Sequence, residues 1–116
     1  MAAINEYRQI VKHVLTDYLN LAASSASNAE QRVETQAVFD TEHDHYQLVN
    51  VGWEDERRIY GCILHIDIKD GKLWIQHNGT ELAVAEALVE SGVSKDRIVL
   101  GFQSPSRRKY SDFAVN

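Results

Sequence analysis

Four segments rich in β-branched and aromatic residues follow one another with only short connections between them. They span residues 33–39, 46–53, 57–68 and 72–78. This composition favours β-strands, and the acidic or glycine-containing turns between the segments are typical strand boundaries. Parallel neighbours in a sheet need a crossover of about a dozen residues or more, and these connections are shorter. The segments are therefore predicted to form a four-stranded antiparallel meander.

Asp70-Gly71 is the best-defined turn, a two-residue hairpin loop of the kind that matches strand twist. Its register places His65 opposite Gln76. One face of the hairpin, the predicted core face, holds Tyr60, Cys62, Leu64, Ile66, Ile68, Leu73 and Ile75. The opposite face holds Ile59, Ile63, His65, Asp67, Trp74 and Gln76. Because this second face is too apolar for bare solvent and too polar for a dry core, we expect it to contact a partner protein or a second copy.

The segments before and after the strands predict two helices. From Ile4 to Leu21 the apolar residues recur at three-and-four spacing, which is the pattern of an amphipathic helix with one buried face. After the strands, Thr80 stands where a side chain would cap a helix N-terminus, and Gly92 stands where a glycine would end that helix. We place both helices on the core face.

The remaining segments predict connections and a short end. Residues 22–30 are rich in serine and alanine and lose the helical periodicity, so we expect an exposed connector. Residues 97–102 predict a short last strand, and Pro105 begins a basic tail. The chain is thus predicted to be one α+β domain over residues 1–116, with an N-terminal helix, a four-stranded antiparallel meander, a second helix on the same face and a short C-terminal strand or tail.

The composition is that of one small acidic domain. Among 116 residues, 12 are basic and 17 acidic, which gives a formal net charge of -5 and disfavours nucleic-acid binding by the molecule as a whole. The single cysteine, Cys62, cannot form an internal disulfide, and Glu6 and Arg8 interrupt the start where a secretory signal needs an apolar stretch. No apolar run approaches the roughly 20 residues that cross a bilayer. We expect a cytoplasmic protein.

The histidines raise the question of a metal site. Zn²⁺ needs three or four ligands that converge on one point. His43 and His45 would share a strand face, and so would His65 and Asp67, but the hairpin register sends His65 and His77 to opposite faces. The stretch TEHD between two strands is an ordinary loop length. The sequence therefore favours a hairpin tip here, and we expect no metal, no cofactor and no catalytic group.

Two other functions remain open as alternatives. Asp67 and Lys69 form an acid-x-Lys pair at a strand end, an arrangement that Mg²⁺-dependent nucleases of the restriction type use with a second nearby acid. Arg107, Arg108 and Lys109 form a basic run in the tail that could contact nucleic acid or an acidic partner. Short patterns of this kind also occur by chance as solvated charges.

Several stretches closely resemble the XisI family, the fdxN element excision controlling factor I of cyanobacteria, in collinear order over nearly the whole chain. The most specific are DHYQL at 44–48, YGC at 60–62, HIDIKDG at 65–71, QH at 76–77 with GTE at 79–81, and IVLGF at 98–102. Where typical members carry an acid before Gly79, this chain has Asn78. This departure touches no catalytic group, since the family carries none to transfer.

The resemblance implies a role in programmed DNA rearrangement, in which an element interrupting nitrogen-fixation genes is excised as a vegetative cell becomes a heterocyst. Family members look like accessory factors that act beside a site-specific recombinase and a companion protein, XisH, which resembles nucleases in fold. The expected partners are therefore a XisH-like protein, a recombinase complex or a second copy of the chain. We also expect that this protein is not an enzyme.

Overall fold

The computed structural model describes residues 2–25 and 31–116, with side chains at residues 4–22 and 33–116. The helices are α1 (Ala2–Ser25), α2 (Val84–Glu90) and α3 (Pro105–Arg108). The strands are β1 (Gln31–Asp40), β2 (His45–Glu54), β3 (Arg57–Lys69), β4 (Lys72–Asn78) and β5 (Ile98–Leu100). Within the described residues, every helix is too short or too polar to span a bilayer.

The five strands form one mixed sheet in the order β1-β2-β3-β4-β5. The strands β1 to β4 pair with one another antiparallel, so the predicted meander is confirmed. The short last strand is also present, and it runs parallel to β4. A parallel neighbour requires a crossover, and α2 lies in the connection that supplies it. The α+β prediction is therefore confirmed, with a parallel strand added at one edge.

Both longer helices pack on one face of the sheet, which we call the helix face. The buried side chains of α1 and α2 join those of the central strands in one apolar cluster. Its members from the helices are Val11, Val14, Leu15, Val84, Ala85 and Leu88, and its members from the strands include Tyr46, Leu48, Leu64, Ile66, Leu73 and Ile75. The two-residue period of the strands leaves the other face, which we call the open face, to the intervening side chains.

The ends of the helices differ from prediction in two places. The α1 helix continues to Ser25, so the predicted connector was wrong for residues 22–25, and residues 26–30 lie outside the described part of the chain. The α2 helix begins only at Val84, because Thr80 instead makes a local turn with Asn78, whose side-chain oxygen accepts from the Thr80 amide and hydroxyl. Gly92 does end α2, with a φ of 111°, which favours glycine.

A β-bulge in β3 reverses the side-chain alternation in the first half of that strand. The register between β2 and β3 shifts by one residue after Leu48 and leaves Ile63 without a partner. One extra residue moves the side chains before it to the opposite faces. Tyr60, predicted on the core face, is therefore 73% exposed. Ile63, predicted on the opposite face, packs against the apolar cluster instead. Ile59 pairs with the buried Gly52 and by alternation lies on the helix face too.

The Asp70-Gly71 hairpin has the predicted register near its turn. Both residues have positive φ, at 55° and 74°, as this type of turn requires, and the four residue pairs nearest the turn are as predicted. Beyond them a second bulge leaves Gln76 without a partner, so that His65 pairs with His77 rather than with Gln76. The predicted pairing was wrong at this point because alternation alone does not reveal an inserted residue.

The C-terminal segment folds back against the sheet edge. Ala114 forms a parallel bridge with Val99 of β5, and its backbone N–H donates to the carbonyl oxygen of Ile98 at 2.9 Å. An uncovered edge strand would leave a row of unpaired backbone groups available to another chain. The segment predicted as a basic tail thus covers part of the edge of β5.

Candidate functional site on the open sheet face

Three potential metal ligands meet on the open face where β2 and β3 lie side by side. His45 at the start of β2 pairs directly with Asp67 of β3. His65 lies two residues before Asp67 on the same strand, so the two side chains point to the same face. One ligand atom from each of the three residues lies within 4.8 Å of the others. We call these three residues the His-His-Asp cluster.

One carboxylate oxygen holds the His-His-Asp cluster together. Oδ1 of Asp67 lies 2.8 Å from Nδ1 of His45 and 2.7 Å from Nε2 of His65. The other oxygen, Oδ2, accepts a hydrogen bond from the side-chain amide of Gln76 at 3.2 Å. The amide of Gln47 lies 3.3 Å from Nδ1, the second ring nitrogen of His65. Each member therefore has a defined orientation.

The electrostatics of the cluster favour the ionised form of Asp67 and the protonated form of His45. Burial raises the pKa of Asp67, but the hydrogen bonds from His45, His65 and Gln76 outweigh it, and the net pKa lies below its ordinary value. The hydrogen bond to Asp67 raises the pKa of His45, although desolvation opposes it. The carboxylate is therefore ionised at neutral pH, as a metal ligand or an anchor for a histidine must be.

The cluster corrects the sequence argument that the histidines could not converge. His45 and His65 come from different strands, and only the pairing of β2 with β3 places both beside Asp67. His43 remains apart, because its ring nitrogen Nδ1 bonds to the carboxylate of Asp40 at 2.9 Å in the hairpin loop, as expected for a hairpin tip. His77 is aligned with His65 across the bulge but is not part of the cluster.

The residues predicted to form a partner surface divide between the two faces. The hydrogen-bond network on the open face includes His65, Asp67 and Gln76. Trp74 pairs with Asp67 and therefore lies on the same face. Ile63 does not belong to this surface, because it packs against the apolar cluster. Ile59 pairs with the buried Gly52, so alternation beyond the bulge assigns it to the helix face as well.

Other apolar side chains also lie on the open face, and the bulge in β3 accounts for Tyr60 among them. Val38, Trp53 and Tyr60 are large and exposed. Val38 pairs with Gln47 in the row next to the cluster, and Tyr60 lies on the far side of the bulge. Sequence reasoning missed the exposure of Tyr60, because the unbroken alternation of β3 assigned it to the core.

Trp74 is partly covered by cations of its own chain. The ammonium group of Lys69 lies 4.3 Å from the centre of the Trp74 ring, and the guanidinium group of Arg108 lies 5.3 Å from it. Stacked cations of this kind stabilise an aromatic ring at a surface. Lys69, the proposed partner of Asp67 in a nuclease site, is thus placed against an aromatic ring.

The three residues of the basic run, Arg107 to Lys109, also differ in their contacts. Arg108 also donates to the carbonyl oxygen of Gln103 at 3.1 Å, so it stabilises the C-terminal segment. Arg107 and Lys109 are exposed on either side of it. Of the three residues predicted to contact nucleic acid or an acidic partner, Arg108 contacts both a backbone carbonyl and Trp74, and the ammonium group of Lys109 lies 5.3 Å from the centre of the Tyr110 ring.

The fold and its surfaces define a class of protein: a small α+β domain with one sheet face covered by helices and an open second face that carries a His-His-Asp cluster. The model of one family, described as XisI protein, matches residues 1–115. The chain therefore belongs to the XisI family.

Solved structures agree with this membership. The crystal structure of a XisI-like protein from Anabaena variabilis ATCC 29413 is 46% identical, with 97% of this chain and 99% of that chain covered and a TM-score of 0.86. The crystal structure of the fdxN element excision controlling factor XisI from the same organism is 28% identical, with 98% and 99% covered and a TM-score of 0.84. Among curated proteins, none matches this chain significantly.

Proposed function

We propose that this protein is an accessory factor that controls the excision of a DNA element and acts through contacts with other proteins. The observation that carries this proposal is its similarity over 98% of its length to the fdxN element excision controlling factor from Anabaena variabilis. The net charge of -5 supports protein contacts over direct DNA binding. We propose that it acts in the cytoplasm, because an excision factor needs to work where the DNA is.

The open face is the surface that we propose for these contacts. Val38 exposes an apolar side chain next to the polar cluster around Asp67. Trp53 and Tyr60 expose theirs toward the other end of β2 and β3. Protein interfaces usually combine exposed apolar side chains with polar groups. The partner that the family resemblance implies is a XisH-like protein, with a second copy of this chain and a recombinase complex as further participants.

Tyr60 offers the sharpest test of this surface. It is 73% exposed, so Tyr60→Glu should fold normally while placing a charge in the interface. We expect binding to the XisH-like protein encoded in the same genome, measured by titration calorimetry and native mass spectrometry, to weaken at least about 30-fold, because aromatic anchors contribute about 2 kcal/mol or more. The matched control is Tyr110→Glu in the C-terminal segment, where the ring is 81% exposed.

The outcome separates the alternatives. Tyr60→Glu binding like the parent protein would reject the open face as the contact surface. Nicking of supercoiled DNA with Mg²⁺ or Mn²⁺, lost in Asp67→Ala, would replace the accessory role with a nuclease that uses Asp67 and Lys69. Direct DNA binding that falls steeply with salt and is lost on changing Arg107 and Lys109 would assign the function to the C-terminal segment.

A further inference from the structure

We propose that the His-His-Asp cluster is a binding site for one divalent transition-metal ion of the Zn²⁺ type, with His45, His65 and Asp67 as its ligands. This inference goes beyond the excision role and does not depend on it. It is carried by the convergence of three ligand atoms from two strands and by the side chains that orient them.

The distances fit a metal with a small adjustment. Tetrahedral Zn²⁺ with bonds of about 2.0–2.1 Å separates its ligand atoms by about 3.3 Å. Without a metal, Oδ1 of Asp67 lies 2.8 Å from Nδ1 of His45 and 2.7 Å from Nε2 of His65. The ligand nitrogens of His45 and His65 lie within 4.8 Å of each other. Rotation of the exposed His45 ring would bring its nitrogen toward the tetrahedral spacing, while the two contacts to Oδ1 open by a few tenths of an ångström.

Two glutamines provide the orienting contacts that metal sites use around their ligands. Gln76 donates to Oδ2 of Asp67 at 3.2 Å and leaves Oδ1 for the ion. Gln47 lies 3.3 Å from Nδ1 of His65. When Nε2 of His65 binds the ion, its proton is displaced and Nδ1 carries one, and rotation of the Gln47 amide lets its oxygen accept from that N–H.

The position of the cluster leaves room for a further ligand. The side chain of Asp67 is 16% exposed, that of His65 26% and that of His45 56%, so the carboxylate lies deepest and His45 faces solvent. A surface cleft of about 390 Å³ adjoins all three, with Asp40 and Val38 on its rim. Three protein ligands and one open position match Zn²⁺ sites that bind water or an exogenous group.

The donor set also selects among metals. Two imidazole nitrogens and one carboxylate oxygen suit Zn²⁺ and its neighbours in the first transition row, whereas Mg²⁺ prefers oxygen ligands alone. The predicted preference therefore differs from that of the nuclease alternative, which requires Mg²⁺ or Mn²⁺ near Asp67 and Lys69. This difference makes the two ideas separable in one titration.

The test is a metal titration of the untagged full-length protein after removal of metals with a chelator. We expect one Zn²⁺ per chain by calorimetry and elemental analysis, no competition from millimolar Mg²⁺, and Co²⁺ visible bands typical of nitrogen and oxygen coordination. His45→Gln and Asp67→Asn should each weaken Zn²⁺ binding by more than about 100-fold, and Gln76→Ala should weaken it by roughly 10-fold. Because His45 is exposed, its variant keeps the fold even where Asp67→Asn does not.

His43→Gln is the matched control, since His43 is an exposed histidine in the adjacent loop that bonds to Asp40 instead. It should bind Zn²⁺ like the parent protein. Absence of stoichiometric binding, or equal losses in His43→Gln and His45→Gln, would overturn the proposed site. Binding to the XisH-like protein is measured separately through Tyr60→Glu, so failure of the metal site and failure of the accessory role are distinguishable.

Discussion

The contact between the N-terminal helix and the first hairpin offers a prediction that can be worked out quantitatively. Asp44 lies in the loop between β1 and β2 and accepts hydrogen bonds from Nε of Arg8 at 2.8 Å and from the hydroxyl of Tyr46 at 2.8 Å. Tyr46 is fully buried, whereas Arg8 is half-buried. Removal of the carboxylate should therefore penalise the tyrosine hydroxyl more than the arginine.

We expect Asp44→Ala to lower the free energy of unfolding by about 2–4 kcal/mol. A buried hydroxyl that loses its acceptor costs about 1–3 kcal/mol. Asp44 also has a φ of 60°, where alanine adds about 1 kcal/mol of backbone strain. In a Tyr46→Phe background no hydroxyl is left unpaired, so the same substitution should cost about 1–3 kcal/mol less. The strain is equal in both backgrounds and cancels in the comparison.

The assay is urea unfolding of the four proteins that make up this double-mutant cycle, compared at equal slopes. An equal cost of Asp44→Ala with and without the tyrosine hydroxyl, within about 0.5 kcal/mol, would refute the reasoning. The pH dependence gives an independent check through Asp44→Asn, which keeps an acceptor and tolerates the left-handed backbone.

The sign of that pH dependence follows from the structure. The hydrogen bond from Arg8 lowers the pKa of Asp44 below its ordinary value, with burial opposing it. A lowered folded-state pKa gives stability that is present above the unfolded pKa and is lost as pH falls through the folded pKa. The stability difference between the parent protein and Asp44→Asn should thus be constant between about pH 5 and 7 and shrink below about pH 4.

Three further predictions concern the fold. Gly92→Ala should lower the free energy of unfolding by about 1 kcal/mol, because φ is 111° there, whereas Gly61→Ala, with open space around the added Cβ, should be neutral or stabilising by about 0.5 kcal/mol in the same urea assay. Leu64→Ala should cost about 2–5 kcal/mol, since the side chain is fully buried in the central strand; a loss below about 1 kcal/mol would contradict the described core. Arg108→Ala should speed limited proteolysis of the C-terminal segment, because it removes the contacts to that segment's carbonyl oxygens and to the indole ring, while the exposed Arg107→Ala should leave the cleavage rate unchanged.

The strands and their turns could be predicted because their signals are local. The Asp70-Gly71 loop specifies its own backbone conformation, so the pairs next to it were predicted correctly. Gly92 ends α2 for the same reason. By contrast, Thr80 has the chemistry of a helix cap but uses its hydroxyl in a turn with Asn78, and a residue type alone does not decide between these two uses.

The sequence predicted that His65 and Asp67 share a face, but it did not predict that His45 joins them. The sequence places His65 and Asp67 on one face of a strand by simple alternation. The predicted meander pairs that strand with β2 but does not give the register between them, so the arrival of His45 beside Asp67 was not predictable. The exposure of Tyr60 was also missed, because a single extra residue at Ile63 exchanges the two faces without any mark in the composition.

The sequence by itself determined the kinds of elements in this protein, their order and the family to which the chain belongs. These follow from periodicity, turn chemistry and collinear motifs, each of which depends on a few neighbouring residues. The tertiary structure alone decided which side chains meet on the open face, since that depends on strand pairing across 22 residues of chain between His45 and Asp67. A shift of one residue in that pairing would have moved the histidine to the other face, and only the packed sheet selects the register.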